Sequence, residues 1–444
     1  MRKSYIKRFK QLSKHLSGEE IKACARLPGS GEQTFTRNRK MPLKDIILCC
    51  LAKKGLTTVF ELRNYFRQRN NGMKISKQGY LQQRKRLNPD VFSSLNDEYL
   101  MDFYNSGEAE LWNGYLLLAI DGSKAEVPNS KENRERFGAI TNQYTQTGQV
   151  RAMVSGIYDI LNGFYLDLEI AHISSSEGEL AKQNLQHLKS MGIKQPVLVI
   201  FDRGYPSLEL IDFLENEGFR YIFRLASNDY RSERNEMRSS DEIITLAHTE
   251  PRLRKIRKNH PERYEYMRAK GDTTTRLITC RLPVGKDLTL ISNLFSEFTK
   301  EQLQELYYQR WEIEKKYHTL KNKIKFESVT GKASIYVYQD FQAQILVYNM
   351  VQDIRRCADS EVMKAGKGKE LKHPIRTNEN IAIGLFKEQM IKIVLEKSPQ
   401  RQAELLQELQ SEMEQYVLPV RDLPGHERKK NISNKYKNNQ KNSF

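Results

Sequence analysis

The chain has 444 residues, 39% of them hydrophobic, which is enough for sizeable cores and too long for one ordinary domain, so two or three are expected. No apolar run of about 18 residues argues for a membrane span. The basic start "MRKSYIKRFKQLSKHL" lacks the apolar segment of a secretory signal, and Cys24, Cys49, Cys50, Cys280 and Cys357 show neither disulfide nor zinc spacing, which fits a reducing cytoplasm. The net charge of +18 sits at the ends: residues 1–100 carry +14 and residues 424–444 carry +5, leaving a nearly neutral middle. Such a distribution suits a polyanion held mainly by the ends, with nucleic acid the natural candidate; the other reading is charge kept for solubility.

Residues 1–105 read as helical. "MPLKDIILCCLAKKG" is an apolar helix stopping at Gly55, and "TTVFELRNYF" has a threonine N-cap candidate and helical apolar spacing. "RQRNNGMKI" is a polar connection, and "SKQGYLQQRKRL" opens on the N-cap candidate Ser76 and ends before Asn88-Pro89. The last two helices are similar to a helix-turn-helix whose second helix, with Lys77, Arg84, Lys85 and Arg86, would face DNA. Gly79 and the long connection weaken that pattern, and an ordinary solvated helix is the alternative.

From Gly114 the pattern alternates. "YLLLAID" reads as a buried strand ending at Asp121. "RAMVSGIYDIL" and "FYLDLEIAHI" form a hairpin at Asn162-Gly163, and "SEGELAKQNLQHLKSMG" is an amphipathic helix. "PVLVIFD" is a continuous apolar strand ending at Asp202, "SLELIDFLENEG" a helix capped by Ser207, and "RYIFRLA" a fifth strand. Three strands, helix, strand, helix, strand is the order of the ribonuclease H-like fold. A charged, irregular stretch follows, then β-like segments in "TRLITCRLPV" and "DLTLISNLF". Residues 326–423 look helical, and the basic, polar tail beyond reads as disordered.

"YYQRWEIEKKYHTLK", residues 307–321, reads as a helix free of Pro and Gly. At roughly 100° per residue, Tyr307, Arg310, Glu314 and Lys321 fall within about 60° of one another, beside an apolar stripe of Leu306, Ile313, Tyr317 and Leu320. One explanation is a solvated face with an Arg310–Glu314 pair one turn apart. The other places the stripe at a reaction centre. Asp121 and Asp202 would meet where neighbouring strands end, the edge at which open α/β sheets bind ligands. Two facing carboxylates require a cation or a shared proton, and Glu314 would complete an all-oxygen set suited to hard divalent ions. Two ions about 4 Å apart suit phosphodiester chemistry, with Tyr307, Arg310 and Lys321 placed for the phosphate backbone.

The Tyr307–Arg310–Glu314–Lys321 spacing, "AIDGS" around Asp121, "DRGY" from Asp202 and "ISNL" before the helix resemble the DDE transposases of the insertion-sequence-4 family over about residues 35–350. The resemblance implies a ribonuclease H-like core interrupted by a β-rich insertion, and a metal-dependent cut at transposon ends, often through a DNA hairpin, followed by joining to target DNA. It also implies a catalytic and metal-binding triad of Asp121, Asp202 and Glu314 with two Mg²⁺ or Mn²⁺ ions. The partners implied are double-stranded DNA, as terminal inverted repeats and target, and a second copy of the chain on paired ends, with no membrane; the setting is a bacterial cytoplasm, acting at the nucleoid.

The expected organisation is an α/β protein: a basic, DNA-end-binding helical domain at 1–105, the core at 106–227 and 299–350, the insertion at 228–298, a helical C-terminal region at 351–423 and the tail at 424–444. Some relatives hold a flipped base with an aromatic residue of the insertion. Here Trp112 and Trp311 lie outside it, and Tyr230, Tyr264 and Tyr266 read first as packing residues. His172 reads as a satisfied structural histidine. A ribonuclease H-like nuclease or resolvase without strand transfer, and a DNA-binding protein with an inactive core, are the alternatives; nothing in the sequence supports a P-loop, a Rossmann glycine motif or a Ser/His/Asp triad.

Overall fold

The computed structural model describes residues 4–36, 41–69, 72, 75–142, 145–281, 287–366 and 372–420. The 424–444 tail therefore lies outside the described residues. The chain opens with helices α1 (Tyr5–His15), α2 (Glu19–Cys24), α3 (Leu43–Leu51), α4 (Thr58–Gln68), α5 (Lys77–Arg84) and α6 (Asp90–Asn105). Helix α3 is apolar nearly all round and is buried along most of its length, whereas α5 starts where the Ser76 hydroxyl accepts the Gly79 N–H at 3.2 Å.

The sheet begins with β1 (Leu116–Glu126), then α7 (Lys131–Phe137), β2 (Ala139–Asn142), β3 (Thr145–Asp159) and β4 (Tyr165–Ala171). Next come α8 (Glu177–Met191), β5 (Val197–Phe201), α9 (Leu208–Asn216) and β6 (Arg220–Arg224). Strand β3 pairs antiparallel with both β1 and β4, β1 pairs parallel with β5, and β5 parallel with β6. The central order is thus β4-β3-β1-β5-β6, with helical crossovers α8 and α9 feeding the parallel strands. The β3–β4 hairpin turns as expected at Gly163, whose φ of 79° suits glycine and whose absent Cβ leaves room for Gln352.

Two expectations are corrected here. Strand β1 does not end at Asp121 but runs on to Glu126, because β3 continues to pair with it after β5 has stopped at Ala119. The segment expected as a β-rich insertion is mixed: α10 (Arg231–Glu236), β7 (Asp241–Leu246), α11 (Glu250–Asn259), α12 (Pro261–Lys270), β8 (Thr273–Arg281) and β9 (Asp287–Ser292). Its charged "irregular" stretches are the helices. Its strands are no separate layer but extend the central sheet, β9 pairing antiparallel with β6 and β8 with both β9 and β7.

The chain then forms α13 (Lys300–Gln309), α14 (Trp311–His318), a π-helix at Thr319–Ile324, α15 (Ser334–Gly366), β10 (Ile375–Thr377), α16 (Glu379–Leu395), α17 (Pro399–Glu414) and β11 (Val417–Pro419). The 33-residue α15 is buried on most sides. It is covered from both ends of the chain, and one apolar cluster runs from Tyr5 to Met413. Buried polar contacts cross it: Arg8 donates to Asp353 at 2.7 Å, Tyr5 to Gln410 at 2.7 Å, and Arg84 to Asp340 at 2.8 Å. The described helices before residue 105 and after residue 351 thus share a core, which a purely sequential division into N- and C-terminal regions does not anticipate. Among the described residues no helix is long and apolar enough to cross a membrane.

Candidate active site

Three elements bring Asp121, Asp202 and Glu314 together at one edge of the sheet. Asp121 sits in β1 opposite Gly156, just beyond the last residue paired to β5. Asp202 follows the final residue of β5, and Glu314 projects from α14. The group that joins them is Arg310. Its Nη2 lies 2.9 Å from Glu314 Oε1 and 3.6 Å from Asp202 Oδ2, and Asp202 Oδ1 accepts the Tyr307 hydroxyl at 2.9 Å. Arg224 approaches Asp202 to 4.0 Å.

These surroundings push the two aspartates apart. Burial raises Asp121 to about 7, helped by Glu314 and Asp202 and opposed by Arg310. Burial acts on Asp202 too, but Arg310, the Arg203 N–H, Tyr307 and Arg224 together hold it below the ordinary carboxylate range. Three carboxylates share the single Arg310 cation, and an all-carboxylate donor set fits a hard divalent ion. In the present arrangement Arg310 fills the space between Asp202 and Glu314, and among the described residues no three His, Cys, Asp or Glu side chains already converge to hold an ion.

The helix carrying the polar stripe is not continuous. It breaks at Arg310 between α13 and α14, then widens into the π-helix that bears Lys321. The expected apolar stripe is buried, with Leu306, Ile313, Tyr317 and Leu320 all at or below 5% exposure. However, Tyr307 and Arg310 are each only 1% exposed, so in this arrangement they face carboxylates rather than standing open to a phosphate. Arg310 Nε and Nη1 find no hydrogen-bond partner among the described residues. Lys321 reaches β1, donating to Ser123 Oγ and to the Lys124 carbonyl at 2.8 Å each.

Of the basic residues expected to read DNA, Lys77, Lys85 and Arg86 are exposed on or just after α5. Arg84 is a correction. It is fully buried, donating to Asp340, Gln339 and the Thr330 carbonyl, because its place on α5 faces α15 and not solvent. His172 pairs with Ser174 Oγ at 2.7 Å, a satisfied turn histidine. Trp112 packs on Phe298, Tyr264 is buried, Tyr266 is exposed under Arg263, and Tyr230 adopts φ 48° beneath Arg252.

Several site residues escape a sequence reading. The Tyr317 hydroxyl donates to the Asp121 carbonyl at 2.7 Å, although its spacing marks it only as apolar. Tyr205, the tyrosine of "DRGY", is 3% exposed, and its hydroxyl finds no hydrogen-bond partner among the described residues. Glu177 lies between the two aspartate motifs: a Cβ on Gly122 would sit 2.9 Å from one of its oxygens, and one on Gly204 3.3 Å from the other. Both glycines leave room for that carboxylate. The signal available in sequence was a glycine one residue after Asp121 and two after Asp202.

Comparison with known proteins places the chain among transposases. The family described as "Transposase DDE domain" matches residues 112–350, more than half of the chain. The transposase InsG for insertion sequence element IS4 of Escherichia coli (strain K12) is 24% identical over 357 residues, covering 77% of this chain and 75% of its own. Among solved structures, the piggyBac transposase synaptic complex with hairpin DNA aligns over 96% of this chain and 86% of its own, at 10% identity and a TM-score of 0.42. The Mos1 transposase paired-end complex aligns over 39% of this chain and 56% of its own, at 12% identity and a TM-score of 0.18. The chain belongs to the DDE transposases of the insertion-sequence-4 family. It is an enzyme of DNA transposition, catalysing DNA cleavage and transfer.

Proposed function

We propose that Asp121, Asp202 and Glu314 are the catalytic triad of a ribonuclease H-like core, and that they hold two Mg²⁺ or Mn²⁺ ions for cutting transposon ends and joining them to target DNA. The observation that supports this most is the single Arg310 guanidinium shared by Asp202 and Glu314 while Asp121 responds to all three charges. The order β4-β3-β1-β5-β6 supports the core assignment. When bound, the ions would supply an activated oxygen nucleophile and stabilise the leaving oxygen of the phosphodiester. The chain's own part is positioning: Tyr307 fixes Asp202, Tyr317 fixes the backbone of Asp121, Lys321 stands beside β1 for phosphate oxygens as DNA enters, and Arg310 would turn to phosphate once metal ions take its place between Asp202 and Glu314. Exposed Lys77, Lys85 and Arg86 extend the cationic track over the N-terminal helices, without Arg84.

The partners in this reading are the transposon's terminal inverted repeats, target DNA and a second copy of the chain on paired ends, in a bacterial cytoplasm at the nucleoid. The domains follow as an end-binding helical region to residue 105, the core at 106–227 and 299–350 with its insertion between, and the C-terminal helices. The test is a gel assay on end-containing and target DNA with Mg²⁺ or Mn²⁺. Nicked and joined products are expected from the wild type, and binding without either from Asp121→Asn, Asp202→Asn and Glu314→Gln. Nicking without joining would replace transposition at this site by hydrolysis alone, and an active triad variant would remove that residue from the site.

A further inference from the structure

The π-helix at Thr319–Ile324 is the least regular part of the element that carries Glu314 and Lys321. A π turn holds one residue more than an α turn, is rare, and appears mostly as a single turn within an α-helix, frequently at functional sites, so the contacts made to it from outside bear on its geometry. Here those contacts come from α16. Glu379, the first residue of α16, accepts Lys316 Nζ at 2.7 Å, Thr319 Oγ1 at 2.8 Å, Lys323 Nζ at 2.7 Å and Arg355 Nη1 at 3.1 Å. Three of the four donors flank or belong to the π turn, and Thr319 and Lys323 stand two residues either side of Lys321. Being in the first turn of α16, the carboxylate is also favoured by the helix dipole. Two turns further along the same helix, the buried Lys387 Nζ donates to the Ile324 carbonyl at 2.8 Å, to the Lys53 carbonyl at 2.7 Å and to Gln344 Oε1 at 2.8 Å. The π turn is therefore held at both ends from α16, while Lys321 leaves it toward Ser123 and Lys124 of β1.

We infer that Glu379 is a positioning residue for DNA cleavage: by gathering Lys316, Thr319 and Lys323 it fixes the π turn so that Lys321 stands beside β1 where a phosphate would arrive. This rests on the reading of Lys321 as a phosphate contact. A carboxylate that served stability alone would change the melting temperature and leave the chemistry of folded protein untouched. A carboxylate that acts through Lys321 has no further effect once that lysine is gone.

The experiment is a double-mutant cycle on single-turnover cleavage of end-containing DNA at saturating protein, with the salt dependence of end binding measured alongside. Lys321→Ala should slow cleavage about a hundredfold and Glu379→Gln at least about tenfold, the range expected for misplacing a contact by an ångström. The double variant should be no slower than Lys321→Ala alone. Each single variant should lower the slope of log affinity against log salt by about one. Losses that multiply in the double variant, or a Glu379→Gln protein that cleaves at the wild-type rate, would overturn the inference. A Lys321→Ala protein with unchanged cleavage and salt slope would instead remove Lys321 from the DNA contact proposed above. Should Glu379→Gln fail to fold at the assay temperature, Thr319→Val removes one donor without stranding three cations; it should show the same non-multiplying pattern with Lys321→Ala, and multiplying losses there count equally against the inference.

Discussion

The guanidinium of Arg310 is paired with the carboxylate of Glu314, one helical turn further on, at 2.9 Å, while its buried Nε and Nη1 find no hydrogen-bond partner among the described residues. The pair at this spacing was legible as a possible surface ion pair. Its setting is different: Arg310 is 1% exposed and also leans on Asp202, so it acts as the cation that lets three carboxylates coexist in the absence of DNA.

Arg310→Met should therefore destabilise the DNA-free protein. Removing one partner from a buried charge cluster costs about 3–5 kcal/mol, and partial exposure of Glu314 and Asp202 reduces that to about 2 kcal/mol. Thermal unfolding is the measurement. The loss should shrink on adding millimolar Mg²⁺, which can take over the compensating charge, and more so than any effect of Mg²⁺ on the wild type. A loss that Mg²⁺ leaves unchanged would show that Arg310 is a packing residue and not a counter-charge.

Glu314→Gln keeps size, helix propensity and an amide oxygen for Arg310, so stability without metal should stay within about 1 kcal/mol. End binding should persist, because the exposed N-terminal cations and Lys321 are untouched. Cleavage and strand transfer should fall by roughly a thousandfold or more, several kcal/mol of transition-state stabilisation. Binding and cleavage compared on one end-containing duplex check this. Near wild-type cleavage would return Glu314 to the role of a simple ion-pair partner.

The parts of this site legible in sequence were those with a short-range signature. Asp202 follows a continuous apolar strand, Asp121 lies within another, and the 307–321 spacing put Glu314 on their side. What was not legible depends on contacts distant in the chain. Nothing local to Arg84 says that Asp340, 256 residues away, draws it inward, so a basic helix face was read as solvent-facing. The break at Arg310 and the π turn are invisible to a 100° wheel, which assumes regular geometry throughout. Of the insertion's three strands β8 and β9 were legible and β7 was not, and strand periodicity carries no statement of partner, so their addition to the central sheet through β9 had to come from the fold.

His187 gives a pH prediction. Its Nδ1 lies 3.0 Å from Asp167 and its Nε2 2.9 Å from Asp97, joining α8 to β4 and α6. Hydrogen bonds to Asp167 and then Asp97 outweigh burial and raise its pKa to about 10, above the ordinary 6.5. A group raised on folding contributes stability that is complete below its unfolded pKa and is lost as pH climbs to the folded one. Stability should thus decline between about pH 6.5 and 10, by an amount of order 2–3 kcal/mol attributable to this residue. His187→Gln should lower stability at pH 6 and flatten the decline. Urea denaturation across that range measures it; parallel wild-type and variant curves would mean that the imidazole is not the group titrating.

The N-terminal helices offer the sharpest contrast between neighbours. Arg84, Lys85 and Arg86 are consecutive cations, and a charge count treats them alike. Arg84 is fully buried against Asp340, which also pairs with Lys53 at 2.7 Å, whereas Lys85 and Arg86 are exposed. Arg84→Ala strands part of a buried carboxylate's charge and should cost about 3 kcal/mol of stability. In the folded protein it should leave the salt slope of end binding unchanged, since no phosphate contact is lost. Lys85→Ala and Arg86→Ala should do the reverse: stability within about 0.5 kcal/mol, the usual range for surface sites, and a slope reduced by about one for each phosphate contact removed. Deleting residues 1–105 cannot make this distinction, because those helices share the apolar core of α15 and their loss would unfold the site with the DNA contacts. Melting curves paired with filter-binding titrations over 50–200 mM salt separate the outcomes. If Arg84→Ala lowered the salt slope, or if Lys85→Ala and Arg86→Ala together left it unchanged, this helix would not lie along the DNA in the orientation proposed.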